Sequence, residues 1–324
     1  MGGDEPLTRG GAPWTWRHAL SLVDDALDTV LAGQRLRQRG PMPILADREV
    51  LTIEVVGEFL GLDQDTALYN HFRRYHADLF PALPTVHRTT FTRQAANLWR
   101  IKERVWQLVL AQVPHDPVVS LVDSFPVPVC RFARAYRCRL FGGEAAFGHD
   151  HVQRQTFYGF RMHVRCCRPG VIATVSLAPA NAADVAVLPE LTEDTHGFAV
   201  GDRNYWSPEL TDDLQARGLA LLAPYRSAKR DPAPRRSRFL SRIRDRIETT
   251  FGQLVERYHV KRVWARPVAP GQPPVAQGAE SYPRDPPQRG LGPSAVATRP
   301  PPHLINLHTG LRVCVIRWRR ESCD

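Results

Sequence analysis

A chain of 324 residues, 43% hydrophobic and 23% charged, has an ordinary globular composition and is long enough for two domains, or for one large domain with an appendage. It has no run of about 18 apolar residues, which argues against a transmembrane helix. Its N-terminus, "MGGDEPLTRGGAPWTWRH", lacks the apolar core of a secretory signal and the Ser or Thr of a myristoylation signal. The 43 Lys and Arg exceed the 33 Asp and Glu, and the excess is concentrated: Tyr225–Arg266 holds 13 basic against 4 acidic residues. Such a segment is what a polyanion-binding surface looks like, with nucleic acid the leading partner and an anionic membrane the alternative. The cysteines at 130, 138, 166, 167, 314 and 323 form no C-x-x-C pair and read as scattered thiols of a reducing cytoplasm.

Residues 1–45 are broken by Gly and Pro around one helix, about Trp16–Gln38, and 46–115 read as a helical domain with a possible DNA-binding role. In "DREVLTIEVVGEFLGL" the residues Val50, Leu51, Ile53, Val56 and Phe59 recur at helical intervals. The helices "TALYNHFRRYH" and "TRQAANLWRIKERVWQLVLAQV" follow. From 116 to 262 the pattern is mixed α/β. Strands are expected at "PVVSLVDSF", "QTFYGFRMHVRCC" and "VIATVSLAP", then a helix at "NAADVAVLPELTED" and a strand at "GFAVGD". The Ser-capped helix "SPELTDDLQARG", the strand "LALLAP" and a basic helix over about Ser237–Tyr258 complete it. Eleven of the 36 residues from Pro267 to Pro302 are proline, so 263–324 reads as a disordered tail.

Two expected strands deliver a carboxylate where they end. The apolar run before Asp123 meets Pro126, which cannot continue a central strand, so the chain is expected to leave the sheet just after Asp123. "GFAVGDRNYW" likewise runs a strand into Asp202. The third acid, Glu248, lies on the basic helix, whose apolar stripe is Leu240, Ile243, Ile247, Phe251, Leu254 and Tyr258. Glu248 is about 100° round from Ile247, on the flank of that stripe, with Arg244 one turn before it. Each acid alone reads as a turn, cap or surface residue. Clustered, they would repel unless a hard divalent ion neutralised them, and two such ions about 3.5–4 Å apart serve in-line phosphoryl transfer.

The stretches "LVDSFPVPVCRFARAYRCRLF", "FYGFRMHV", "LAPANAADVAVLPEL", "VGDRNYW" and "RDRIETTFGQLVER" resemble, in order, those of DDE transposases from bacterial insertion sequences, which have a ribonuclease-H-like core. The helical block over 49–99 resembles the N-terminal region of one subgroup. The resemblance implies a ribonuclease-H-like mixed sheet flanked by helices, preceded by an all-helical N-terminal domain. It implies Asp123, Asp202 and Glu248 as the catalytic and metal-binding triad, holding Mg²⁺ or Mn²⁺ as two ions, with spacings of 79 and 46 residues. It also implies metal-dependent cleavage and strand transfer on double-stranded DNA (terminal inverted repeats and target), a homodimer or higher synaptic assembly, and a cytoplasmic, nucleoid-associated bacterial setting without a membrane. Some relatives carry Tyr-x2-Arg-x3-Glu-x6-Lys on the glutamate helix. Arg244 and Glu248 fit, but Ser241 and Val255 replace the tyrosine and lysine, for which Arg257 or Lys261 would have to substitute.

Further DNA contacts are expected from Arg131, Arg134, Arg137 and Arg139, interleaved with Phe132 and Tyr136. Others are expected from Arg235, Arg236, Arg238, Arg242 and Arg244. Trp206 is expected in the core, with base stacking as the alternative. His149 and His151 are expected to point apart and not to form a metal pair, and His163 to be a satisfied strand histidine. The resemblance stops near "KRVWARP", where relatives continue with Leu-rich helix, so the proline-rich tail reads as a frameshifted continuation, with a genuine linker to the short "LRVCVIRW" segment as the alternative. Such a chain would bind DNA but transpose poorly, which leaves a catalytically impaired remnant, or a plain metal-dependent nuclease, as the alternative functions.

Overall fold

The computed structural model describes residues 16–260 except 38, 39, 63, 139, 140, 142, 258 and 259. The proline-rich tail, Arg139, Lys261, Cys314 and Cys323 lie outside the described residues, as does the side chain of Arg257.

The N-terminal half is helical: α1 (Trp16–Leu31), α2 (Asp47–Phe59), α3 (Asp65–Tyr75), α4 (Arg88–Asn97) and α5 (Trp99–Gln112). Helix α1 ends earlier than the sequence pattern suggests because Ala32 (φ 48°) and Gly33 (φ 79°) turn left-handed, a common helix stop. Helix α2 is buried on nearly every side, including Val50, Leu51, Ile53, Val55 and Val56. Its polar Glu54 is buried too and is paired with Lys102 Nζ of α5 at 3.0 Å. The helix expected over 92–113 is two, because Leu98 leaves helical geometry between α4 and α5 with φ −85° and ψ 5°. Leu98 is itself buried. No Gly or Pro stands there, so the break had no sequence signal.

The second half alternates strands and helices: β1 (Asp116–Pro128), β2 (Ala146–Asp150), β3 (Gln155–Arg168), β4 (Val171–Pro179), α6 (Asp184–Leu191), β5 (Gly197–Val200), α7 (Pro208–Ala216), β6 (Leu219–Leu222) and α8 (Pro234–Gly252). A π turn over Gln253–Arg257 extends α8. The six strands form one sheet in the order β2-β3-β1-β5-β6, with β4 also on β3. β1 runs antiparallel to β3 and parallel to β5, and β5 runs parallel to β6. A mixed sheet flanked by helices and preceded by a helical region is the fold class that the sequence suggested.

The strand β1 corrects one expectation. It does not leave the sheet after Asp123 but stays paired with β3 as far as Pro128↔Gly159. Its pairing with β5, however, stops at Leu121↔Val200. Beyond that point β1 has an open edge, where a proline's missing N–H removes no ladder bond, so Pro126 is tolerated. The strand β2 was not anticipated either; "AFGHD" is too short and too polar to show a strand pattern.

Antiparallel partners share a face. Val122, Ser124, His163 and Arg165 therefore lie on one side of the sheet, and Asp123, Phe125, Met162 and Val164 on the other. The first side packs on α6 and α7 through Val122, Leu188, Leu191 and Leu214. The second packs on the N-terminal helices and the end of α8, in one cluster running from Val23 and Phe72 to Phe125, Val164 and Leu254.

Candidate active site

The register explains why two of the sequence's acids meet. Leu121 pairs with Val200 on parallel strands, and each chain reaches its carboxylate two residues later, at Asp123 and Asp202. The strands stop pairing one step before the acids, so both stand side by side where the sheet opens. Gly201 permits the turn between them: a Cβ there would come within 2.8 Å of the Tyr205 ring. Asp202 then caps a 3₁₀ turn over Arg203–Tyr205, accepting a hydrogen bond from the Asn204 N–H at 2.9 Å.

Glu248 arrives from α8. Buried Ile247 and Leu240, and the edge-to-face contact of Phe251 with Phe125 at 4.8 Å, hold that helix on the sheet. Of the expected stripe, Ile243 and Phe251 are half-buried and Tyr258 lies outside the described residues. Arg244 connects the helix to the strand: its Nη1 donates to Asp123 Oδ2 at 2.9 Å and its Nη2 to Glu248 Oε1 at 3.1 Å. Glu248 is itself largely exposed, at 59% of its side chain. Ser241 is half-buried, and Val255, at the lysine position of the relatives' signature, packs against the core.

Asp123 is buried, and that desolvation pushes its proton affinity up to a pKa of about 7, with Asp202 and Asp184 adding repulsion. Arg244 and the Ser124 N–H, which donates to its Oδ1 at 2.8 Å, act in the opposite direction. Asp202 is also raised, first by burial and then by Asp184, against the Asn204 N–H and Arg244.

Asp184, at the start of α6, is a member of this group that the sequence reading missed. It sits beneath the open edge, where the Ser124 hydroxyl donates to it at 2.9 Å. Its signal was the first-turn position in "ANAADVAVLPEL", which reads as an ordinary helix start. His163 Nδ1 lies 3.7 Å from Asp184 and 3.4 Å from the Tyr205 hydroxyl. Burial lowers the His163 pKa to about 4, so this is a contact of a neutral imidazole and not an ion pair, and its Nε2 has no partner among the described residues. Fully buried Tyr205 has its phenol pKa driven up by burial and then by Asp184, Asp123 and Asp202, so it stays protonated among them.

The donors suit a hard divalent ion: all are carboxylate oxygens, and the repulsion from Asp202 and Asp184 that adds to the effect of burial on Asp123 is what a dication relieves. Among the described residues no three such groups already stand close enough to ligate one ion. The Arg244 guanidinium instead holds Asp123 and Glu248 together.

An open cleft of about 860 Å³ is lined by Phe147, His149, Arg161, Arg203, Trp206 and Arg226 among others, and by Asp184. Trp206 is half-buried against the core and meets Tyr225 edge-on at 4.9 Å, yet it also lines this cleft. His149 and His151 do not point apart as expected: their rings meet at 4.9 Å on the cleft wall. Arg131, Arg134 and Arg137 are exposed on the loop after β1, and Arg235, Arg236, Arg238 and Arg242 are exposed on the first turns of α8. Among the described residues no helix is long and apolar enough to cross a membrane.

Residues 115–266 match the family model of the transposase DDE domain, which ends one residue before Pro267. The cryo-EM structure of the piggyBac transposase synaptic complex with hairpin DNA aligns over 65% of this chain at 13% identity, with a TM-score of 0.30. The aligned part spans 49% of that chain's length. No curated protein matches this chain.

Proposed function

We propose, from the match of residues 115–266 to the transposase DDE domain, that the protein is a DNA transposase that cleaves and joins the ends of its own element with Asp123, Asp202 and Glu248. The observation that carries this reading is the parallel register that sets Asp123 beside Asp202, together with the Arg244 bridge that ties Glu248 to them. The three carboxylates would hold Mg²⁺ or Mn²⁺, which when bound activates the attacking water or hydroxyl and stabilises the leaving oxygen. The chain's own contribution is placement. Burial under α8 keeps water from Asp123, the 3₁₀ turn fixes Asp202, and the exposed arginines of α8 and of the loop after β1 face the DNA backbone. The DNA substrates would be the element's terminal inverted repeats and a target duplex, engaged by a dimer or larger assembly.

A second reading, a DNA-binding form impaired in catalysis, is favoured by Glu248 being largely exposed and bonded to Arg244. One set of assays separates the two. Changing Asp123, Asp202 or Glu248 to Ala should abolish Mg²⁺-dependent cleavage of an element end while leaving DNA affinity within about twofold. Cleavage surviving in all three variants removes the mechanism, and a wild-type chain that binds but never nicks establishes the second reading. Joining of the cut end to a target duplex separates a transposase from a plain nuclease.

A further inference from the structure

Beyond the carboxylates, three large aromatic side chains stand out of the surface in a row. Tyr136 is 81% exposed, Phe132 46% and Phe147 41%. Exposed aromatics grouped in this way mark binding surfaces more often than isolated ones do. Their rings follow one another at 6.2 Å (Phe132 to Tyr136) and 5.3 Å (Tyr136 to Phe147), and Phe147 then rests on Tyr158 at 5.2 Å. Two different segments build the row, the 3₁₀ loop Phe132–Arg137 and the strand β2, so it is not an accident of one helix face.

Arg131, Arg134 and Arg137 flank the row, are exposed, and make no ion pair among the described residues. At its far end Phe147 lines the cleft with Arg161, Arg203 and Arg226, which form no ion pair among the described residues. Arg161 donates to Ser124 Oγ and the His149 carbonyl, and Arg203 to the Tyr225 carbonyl. Asp184 also lines the cleft, and its charge acts on both Asp123 and Asp202. A track of aromatic rings among arginines that form no ion pair with the described residues therefore runs over the surface into the cleft that Asp184 lines.

We infer that this track binds an unpaired DNA strand, its bases on Phe132, Tyr136 and Phe147 and its phosphates on the arginines, and leads that strand to the carboxylates. Positive charge interleaved with stacking rings is the combination that holds single strands without sequence preference. The ring tilts also decide against a duplex. Bases of a duplex lie parallel to one another, whereas these rings are inclined by 66° and 34°, so bases stacked on successive rings cannot stay parallel. A cleft of about 860 Å³ is within the size range of ligand sites.

The inference rests on the DNA-transposase reading, and the test keeps the two apart. Fluorescence anisotropy is measured for the full chain with a labelled 20-nucleotide single strand and with its duplex, across a salt series. Tyr136→Ala and Phe147→Ala should each weaken single-strand binding about tenfold, leave duplex binding within about twofold, and leave the salt slope unchanged. Tyr136→Trp should restore affinity. Arg134→Gln should instead lower the single-strand slope by about 0.7, the loss of one phosphate contact. Circular dichroism confirms that these exposed positions leave the fold intact. Equal losses on single strand and duplex, or no loss on either, overturn the track. Wild-type binding to duplex but not to single strand overturns the track and leaves the transposase reading standing, whereas no binding to either DNA overturns both.

Discussion

Arg244 Nη1 donates to Asp123 Oδ2 at 2.9 Å, so the one carboxylate buried deepest among the expected catalytic three has a guanidinium as its cation. Even so, burial outweighs the arginine, and Asp123 titrates at about 7 against an ordinary value of 3.8. The raised value means that between about pH 4 and pH 7 the folded chain keeps a proton that the unfolded chain has lost. The stability this contributes is full below the unfolded value and disappears as pH rises through about 7. Urea denaturation of the wild type should therefore lose ground to Asp123→Asn as pH is raised from 4 to 8 in EDTA. A constant difference between the two proteins across that range contradicts the assignment. Divalent-ion binding should show the opposite trend and strengthen through about pH 7, because the ion needs the ionised carboxylate.

The same arginine should not tolerate replacement by lysine. It spans two acceptors at 2.9 and 3.1 Å with two different nitrogens, a fork that a single ammonium cannot reproduce. Its side chain is 25% exposed, so each bond is partly screened, and Arg244→Lys should cost no more than about 1 kcal/mol in stability. The effect on cleavage should be larger, because Glu248 loses the contact that ties it to β1; a shift of about 1 Å at a reacting group costs on the order of 100-fold. A variant with unchanged kcat would show that the bridge has no part in catalysis.

Much of this site was legible because its parts obey local rules. Alternation marked β3, the apolar stripe placed α8 on the sheet, and two short apolar runs each ended in Asp. The meeting of Asp123 with Asp202 was legible only through the family resemblance, since from the residues alone it depends on the register of β1 with β5, which brings together acids 79 residues apart. Pro126 was misread for a related reason: whether a proline breaks a strand depends on whether its N faces a partner, which one strand's sequence does not state. Asp184 was invisible because an acid in the first turn of a helix has an ordinary explanation, and only the fold brings it under Ser124. The meeting of His149 with His151, and of Tyr136 with Phe147, belongs to the same class of contact, set by chain path and not by periodicity.

In the helical half, the Lys102–Glu54 pair should behave as a buried ion pair does. Both side chains are nearly inaccessible, at 3% and 2%, and Lys102 also donates to the Ala95 carbonyl at 2.8 Å. Removing one partner strands the other, so Lys102→Ala should cost about 3–5 kcal/mol. Replacing both with Met should recover most of that loss, since apolar neighbours of similar volume need no countercharge. Chemical denaturation of the single and double variants checks this. A double variant as unstable as the singles would mean that the pair's geometry, and not its charge, holds α2 to α5.

Gly201 offers the sharpest separation of folding from catalysis. It lies between the last paired residue of β5 and Asp202, and an added Cβ would meet Tyr205 Cδ2, Cβ and Cγ at 2.8, 3.0 and 3.0 Å. The first contact is closer than real Cβ atoms tolerate, so the side chain or the turn must move. Tyr205 is fully buried in the cluster with Val122, Leu188 and Leu214, which leaves the turn that carries Asp202 as the softer element. Gly201→Ala should thus cost about 1–3 kcal/mol by overpacking while displacing Asp202 from its place beside Asp123. If that displacement approaches 1 Å, metal-dependent cleavage should fall by on the order of 100-fold in a chain that is still folded. The control is Tyr205→Leu in the Gly201→Ala background, which frees space where the ring stood and should recover part of the activity. Full cleavage by Gly201→Ala alone would show that the position of Asp202 does not limit the reaction.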